Sequence, residues 1–226
     1  MAKTERVRLL TPRFRVSFPD VFVKRVFTGQ GEESGRYACA ALFSGFAVGP
    51  LKQGGTGTLI KVPESWTEGE KAKWKALIAE CNRVSIEVFK KPMAELDRGV
   101  YKLPFHRGEE KEYAGYGPGV VYCTMSAKNF KPTVVDVKDL STPIGPEEFY
   151  AGCYARASVT PFAFNNIGKG IALGLNHLKK LADGERLDSV RSAEDDFGAD
   201  TEEFADESAD AEAGAEAPAD EEEFAA

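Results

Sequence analysis

The stretch FYAGCYARASVTPFAFNNIGKGIALGLNHLKK, Phe149 to Lys180, decides the fold. Two runs, Phe149 to Phe164 and Lys169 to Lys180, flank Asn165-Asn166-Ile167-Gly168, whose residue types favour a tight turn. The stretch therefore predicts a β-hairpin. Upstream, Val120 to Met125 and Pro132 to Val137 read as further strands. At the amino-terminal end Val7 to Phe27 reads as a strand, because Phe14, Val16 and Phe18 alternate with Arg13, Arg15 and Ser17 at the period of a half-buried strand. Tyr37 to Val48 reads as its neighbour, joined through the turn-forming segment Gly29 to Gly35.

One helix interrupts the strands. It starts near Ser65 or Thr67, where Thr67 and Glu70 have capping-box spacing, and ends before Pro92, which cannot sit inside it. Trp74, Leu77, Ile78, Cys81, Val84 and Val88 share one face at helical spacing, so this face is expected to plug the sheet. Five or more strands with one helix and long loops predict a mainly β chain. The oligonucleotide-binding barrel, a five-stranded antiparallel design whose open face accepts single strands, is the candidate.

Between Met93 and Phe130 the chain is loop-rich. Tyr101, Phe105, Tyr113, Tyr116, Tyr122 and Phe130 are interleaved there with Lys102, His106, Arg107, Lys111 and Lys128, and Lys131 follows. Bases of a single strand stack on aromatic faces whatever their identity, while lysine and arginine meet the phosphates. The mixture is therefore the signature of single-strand binding. Candidate contact residues are Arg13, Arg36, Tyr37, Lys102, Arg107, Tyr113, Tyr116, Tyr122, Lys128, Phe130, Lys131, Arg156 and Lys169.

Charge is divided sharply along the 226 residues. Residues 193–226 hold 15 Asp and Glu and no Lys or Arg, so residues 1–192 carry all 29 basic side chains against 21 acids, a net charge of +8. The net charge of −7 for the whole chain conceals this. A segment with few aliphatic residues and one sign of charge cannot offset its ordering entropy, which predicts a disordered tail after a 1–192 binding domain. Tethered to a basic body, such a tail competes with polyanions for the body's anion site. It leaves Phe197, Phe204 and Phe224 to dock on partner proteins.

Other chemistry finds little support. Cys39, Cys81, Cys123 and Cys153 form no C-x-x-C pair and His106 and His177 are the sole imidazoles, so buried free thiols are expected rather than zinc. Gly54-Gly55-Thr56-Gly57-Thr58 and Gly168-Lys169-Gly170 both lack the ending of a phosphate-cradling loop and read as flexible loops. Asp136 and Asp139 have no histidine near them, and no nucleophile elbow occurs, so neither an enzyme nor a metal or other cofactor is expected. The amino terminus has no apolar run long enough for a signal peptide or membrane span, and the expectation is a soluble protein. An architectural or virion structural protein without single-strand preference is the alternative.

Several segments also resemble a phage single-stranded-DNA-binding family once catalogued only as a domain of unknown function. The resemblance rests on Phe149 to Ser158, Phe162 to Asn166, Gly170 to Asn176, Leu181 to Glu185 and Ser192 to Phe197, with Lys128 to Asp136 also similar. It implies an oligonucleotide-binding barrel acting in phage replication or recombination in the host cytoplasm, with an acidic tail meeting the replication or recombination proteins. It leaves room for a homodimer or higher oligomer. Acidic tails of functionally similar proteins often finish on an aromatic residue, whereas here Ala225 and Ala226 follow Phe224.

Overall fold

The Phe149 to Lys180 stretch forms its hairpin late. Residues 149–153 are a turn, and the paired strands are Tyr154–Asn165 and Lys169–Ala182. A computed structural model describes residues 6–26, 35–47, 62–166 and 168–188. Contacts divide the chain into Met1–Ser189 and Val190–Ala226, and all that follows concerns the first unit. The 29–34 part of the expected turn, the Gly54 to Thr58 cluster and the tail with Phe197, Phe204 and Phe224 lie outside the described residues.

In chain order the strands are β1 (Leu9–Leu10), β2 (Phe14–Arg25), β3 (Arg36–Ser44), β4 (Tyr101–Lys102), β5 (Phe105–Arg107), β6 (Val120–Ala127), β7 (Thr133–Asp136), β8 (Tyr154–Asn165) and β9 (Lys169–Ala182), with helix α1 (Glu68–Phe89) between β3 and β4. Pairing runs β8, β2, β3, β6, β9 and back to β8, which closes a ring of five strands. This is the oligonucleotide-binding barrel. Its strands are not all antiparallel. β6 and β9 run parallel, through the short register Met125↔Leu173 and Ser126↔Gly174, because both leave the same end of the barrel. β1 extends β8, β5 extends β6, and β4 and β7 lie parallel to β9.

Alternation sends Val16, Ala41, Cys123, Val159 and Leu173 inward, all essentially without solvent contact. α1 stops one end of this core. Thr67 and Glu70 form the predicted capping box, satisfying amide groups that the first turn leaves without partners. Trp74, Leu77, Cys81 and Val84 are buried, and Trp74 meets Phe43, Phe46, Trp66 and Phe105 at ring distances of 5.0 to 5.8 Å. Val88 corrects the predicted apolar face. At 42% exposure in the helix's last turn, its side chain is turned to solvent.

β2 departs from its sequence pattern at a functionally telling place. Phe14 and Val16 are buried as expected, but Ser17 is buried as well and Phe18 is 41% exposed. The backbone at Phe18 has φ of 46°, a left-handed conformation that costs a non-glycine residue about 1 kcal/mol or more. The β2–β3 register shifts between Ser17 and Asp20. A bulge has inserted an extra residue, bending the strand and turning Phe18 outward before Val21 returns to the core.

Beyond β9 the chain doubles back across the outside of β2. The Tyr150 hydroxyl lies 3.1 Å from Asp183 Oδ1 and 3.0 Å from the Gly184 carbonyl, and it accepts the Gly184 amide at 3.2 Å. Arg15 donates to the Gly152 and Glu185 carbonyls at 3.3 and 2.7 Å, and the Leu187 amide bonds the Ala151 carbonyl. The two strips lie so close that a Cβ at Gly152 would collide with the Glu185 carbonyl. Lys180 pairs with Asp183 at 2.7 Å, and this contact with the Tyr150 hydrogen bond holds the Asp183 carboxyl below its usual range.

Candidate nucleic-acid interface

The outer face of β2, β3 and β6 carries the candidate site. Register places Arg15 beside Leu42, Leu42 beside Tyr122 and Tyr122 beside His106, so these four stand in one row across four strands. At strand spacing the row is about 14 Å wide. The neighbouring row, Ser17, Ala40 and Thr124, has only small side chains and leaves a shallow floor.

Above this floor lies a run of aromatic rings. His106 stacks on Tyr122 at 5.1 Å and 23° between planes, and Tyr116 meets Tyr122 edge-on at 5.2 Å. Tyr113 then meets Tyr116 at 5.8 Å, and Phe18 meets Tyr113 at 5.2 Å. The run ends in solvent, with Tyr113 54% and Phe18 41% exposed. Gly115 lets the 113–117 loop lie this close, because a Cβ there would fall 2.9 Å from Leu187 and 3.2 Å from Leu42, at a φ of 82° that disfavours other residues. Burial raises the hydroxyl pKa of both Tyr116 and Tyr122, so the face gathers no phenolate charge against a polyanion.

Cations bracket the rings along the strands. Toward the β2–β3 connection, Lys24 lies 5.7 Å from the Tyr37 ring centroid and Lys131 lies 5.9 Å from that of Phe22, with Arg36, Lys128 and Phe130 exposed beside them in the sequence. The Tyr37↔Ala127 pair is five residues along β3 from the Leu42↔Tyr122 pair, about 17 Å at strand rise, and the odd offset turns Tyr37 and Ala127 to the core side, so this cationic end lies at the margin of the face. Toward the β8–β9 turn, Lys169 lies 5.1 Å from the Tyr101 ring, and Lys102 pairs with Gly170. Aromatic faces between two cationic ends suit a flexible chain with alternating apolar rings and anions.

The family model for the single-stranded-DNA-binding protein of Enterobacter phage Enc34 matches residues 7–209. The chain belongs to that family. A curated relative, a putative protein p50 of Acyrthosiphon pisum secondary endosymbiont phage 1, is 26% identical over 171 residues, covering 76% of this chain and 81% of its own. Among solved structures, the single-stranded DNA-binding protein of bacteriophage Enc34 in complex with single-stranded DNA superposes with a TM-score of 0.56 at 15% identity, covering 79% of this chain and 88% of that one. A second structure of the same phage protein superposes with a TM-score of 0.55 at 15% identity, covering 84% of this chain and 89% of that one. These likenesses show the fold.

In this member of the family the sequence-predicted residues fall into separate places. Tyr113 and Tyr116 lie in the aromatic run. Tyr122 corrects its assignment as a stacking residue, because at 8% exposure beneath His106 and Tyr116 it supports the rings above it. Tyr37 is half-buried against the core, with Lys24 over its ring. Lys102 and Lys169 mark one end of the face; Arg36, Lys128, Phe130 and Lys131 mark the other. Arg107 on β5 sits 3.7 Å from Glu109. Arg13 and Arg156 lie elsewhere: Arg13 covers the Tyr154 ring on β8 at 5.4 Å, and Arg156 follows two residues later along β8. Asp136 and Asp139 cap their own turn, accepting the amides of Lys138 and Ser141 at 2.8 Å.

Sequence reasoning missed Phe18, Phe22, Lys24 and the stacking of His106. Phe18 was legible through Pro19: a proline inside a strand pattern belongs at an edge or a bulge, and a bulge reverses the alternation.

Proposed function

We propose that this chain binds single-stranded DNA without regard to sequence, laying bases on Phe18 and Tyr113 while the cations at both ends of the β2–β3–β6 face meet phosphates. The observation that carries the reading is the aromatic run ending in two exposed rings on the face that this barrel uses for single strands. Stacking on such rings is worth about 1 to 3 kcal/mol per base and tolerates any base. The Enc34 protein, of the same fold, was crystallised with single-stranded DNA, which supports the reading. No helix among the described residues is long and apolar enough to cross a membrane. The proposed setting is phage DNA replication or recombination in the host cytoplasm. There the acidic residues 193–226 compete with DNA for the face and dock partner proteins through Phe197, Phe204 and Phe224.

The position where the described residues end supports competition. Leu187 packs against Gly115 and the 183–187 strip lies on Arg15, so the last described residues are already on the candidate face. A tethered polyanion starting there has a local concentration of roughly millimolar order. Titration of labelled oligothymidine and of an equal-length duplex from low to high salt tests the proposal. Tighter binding of the single strand, falling with salt by about 0.7 counterion per phosphate neutralised, is expected. Equal affinity for both forms would favour an architectural role instead.

A further inference from the structure

The outer flank of β8 and β9 holds a second concentration of positive charge, which the β2–β3–β6 face does not use. Arg156 stands directly opposite Lys179 across the β8–β9 ladder. Like charges so placed repel, and a sheet ordinarily avoids them or neutralises them with a carboxylate. Neither residue has a carboxylate within salt-bridge reach among the described residues, and the Arg156 Nε is buried without a hydrogen-bond partner. Both side chains are half-buried. Their described neighbours along the same face are polar: Asn176 bonds Thr160 at 3.1 Å, and His177 pairs with Ser158. Arg13, lying over Tyr154, adds a third cation at the same edge, although Glu70 sits 3.9 Å from it.

The flank adjoins the candidate face. Arg15 of the aromatic row pairs with Tyr154, and Arg156 is the next outward residue along β8. We propose that Arg156 and Lys179, with Arg13 at their edge, form a second phosphate-contact site that takes up the backbone of a single strand after it leaves the aromatic face. The inference rests on the single-strand reading above. It adds that a long strand turns around the barrel instead of running straight past it, and that the missing counter-charge of the Arg156–Lys179 pair is a phosphodiester.

Full-length protein and the double variant Arg156→Gln, Lys179→Gln are compared on oligothymidines of about 6 and about 30 nucleotides, the short one sized to a single barrel face. The variant should bind the short strand within twofold of the parent. On the long strand it should bind at least fivefold more weakly, with a salt slope smaller by about 1.4 for two lost phosphate contacts. Its melting temperature should be unchanged or higher, because a repulsion has been removed. Equal losses on both lengths, no loss on either, or a gain from releasing the acidic tail would each overturn the inference. Failure of the parent to bind either strand would instead sink the single-strand reading itself.

Discussion

Replacing Phe18 by leucine tests the face at one of its two exposed rings. Leucine keeps an apolar side chain against the 113–117 loop but removes the ring that meets Tyr113 at 5.2 Å and Tyr116 at 6.5 Å. Aromatic pairs of this kind contribute about 0.5 to 1.5 kcal/mol beyond area burial, so stability should fall by on the order of 1 kcal/mol. Binding should fall further. Loss of one stacking platform removes about 1 to 3 kcal/mol per base, roughly 5- to 150-fold in affinity. The salt slope should not move, because no phosphate contact has changed. Fluorescence anisotropy on labelled oligothymidine at several salt concentrations, with urea denaturation alongside, measures all three quantities. An affinity within twofold of the parent, in a protein that is still folded, would refute the assignment of Phe18 to stacking. A changed salt slope would show that the ring acts by positioning a cation. Phe18→Gly adds a conformational check: it should bind as weakly as the leucine variant but recover part of the lost stability, since glycine adopts φ of 46° without the Cβ penalty.

Deleting residues 193–226 changes the net charge from −7 to +8 and removes the tethered competitor, so anisotropy at low salt should report tighter binding of single strands and of duplex. Equal affinities for the full-length, the truncated and an Asn/Gln-neutralised tail would refute autoinhibition. Trp74→Ala should destabilise the barrel by about 3 to 5 kcal/mol in chemical denaturation, because it empties the centre of the ring cluster that plugs the core. A cost under 1 kcal/mol would mean that the helix is not a stopper. Burial pushes the Cys81 thiol up to about 12 and raises those of Cys39, Cys123 and Cys153, so a thiol reagent at pH 8 should label the folded protein only as fast as it unfolds. Immediate labelling of any of the four would contradict their placement inside.

Much of the barrel was legible because its signals are local. The β8–β9 hairpin is written in its turn residues, and α1 in the Thr67–Glu70 spacing and the period of Trp74, Leu77, Cys81 and Val84. The parallel β6–β9 closure was not legible, since two residue pairs far apart in sequence leave no periodic trace. The site was half legible for a related reason. An interleaving of aromatics and cations tells that a surface of both exists, but Tyr122 and Tyr113 are the same residue type nine positions apart, and only the fold decides which is covered. Arg13 and Arg156 were read into one interface with Lys131, whereas the ring of strands carries them to a different flank.

The bulge at Phe18 ties the binding surface to the architecture beneath it. The extra residue that lets β2 bend from its pairing with β8 toward the far end of β3 is also the one that puts the ring outside. Yet removing one residue between Ser17 and Asp20 would leave a single residue opposite Cys39, with Ser17 and Asp20 still beside Ala40 and Ala38 and Val21 still in the core. The extra residue is therefore one that the ladder itself does not require. A descendant could lose the platform by deletion of Phe18 as well as by its substitution and keep the barrel.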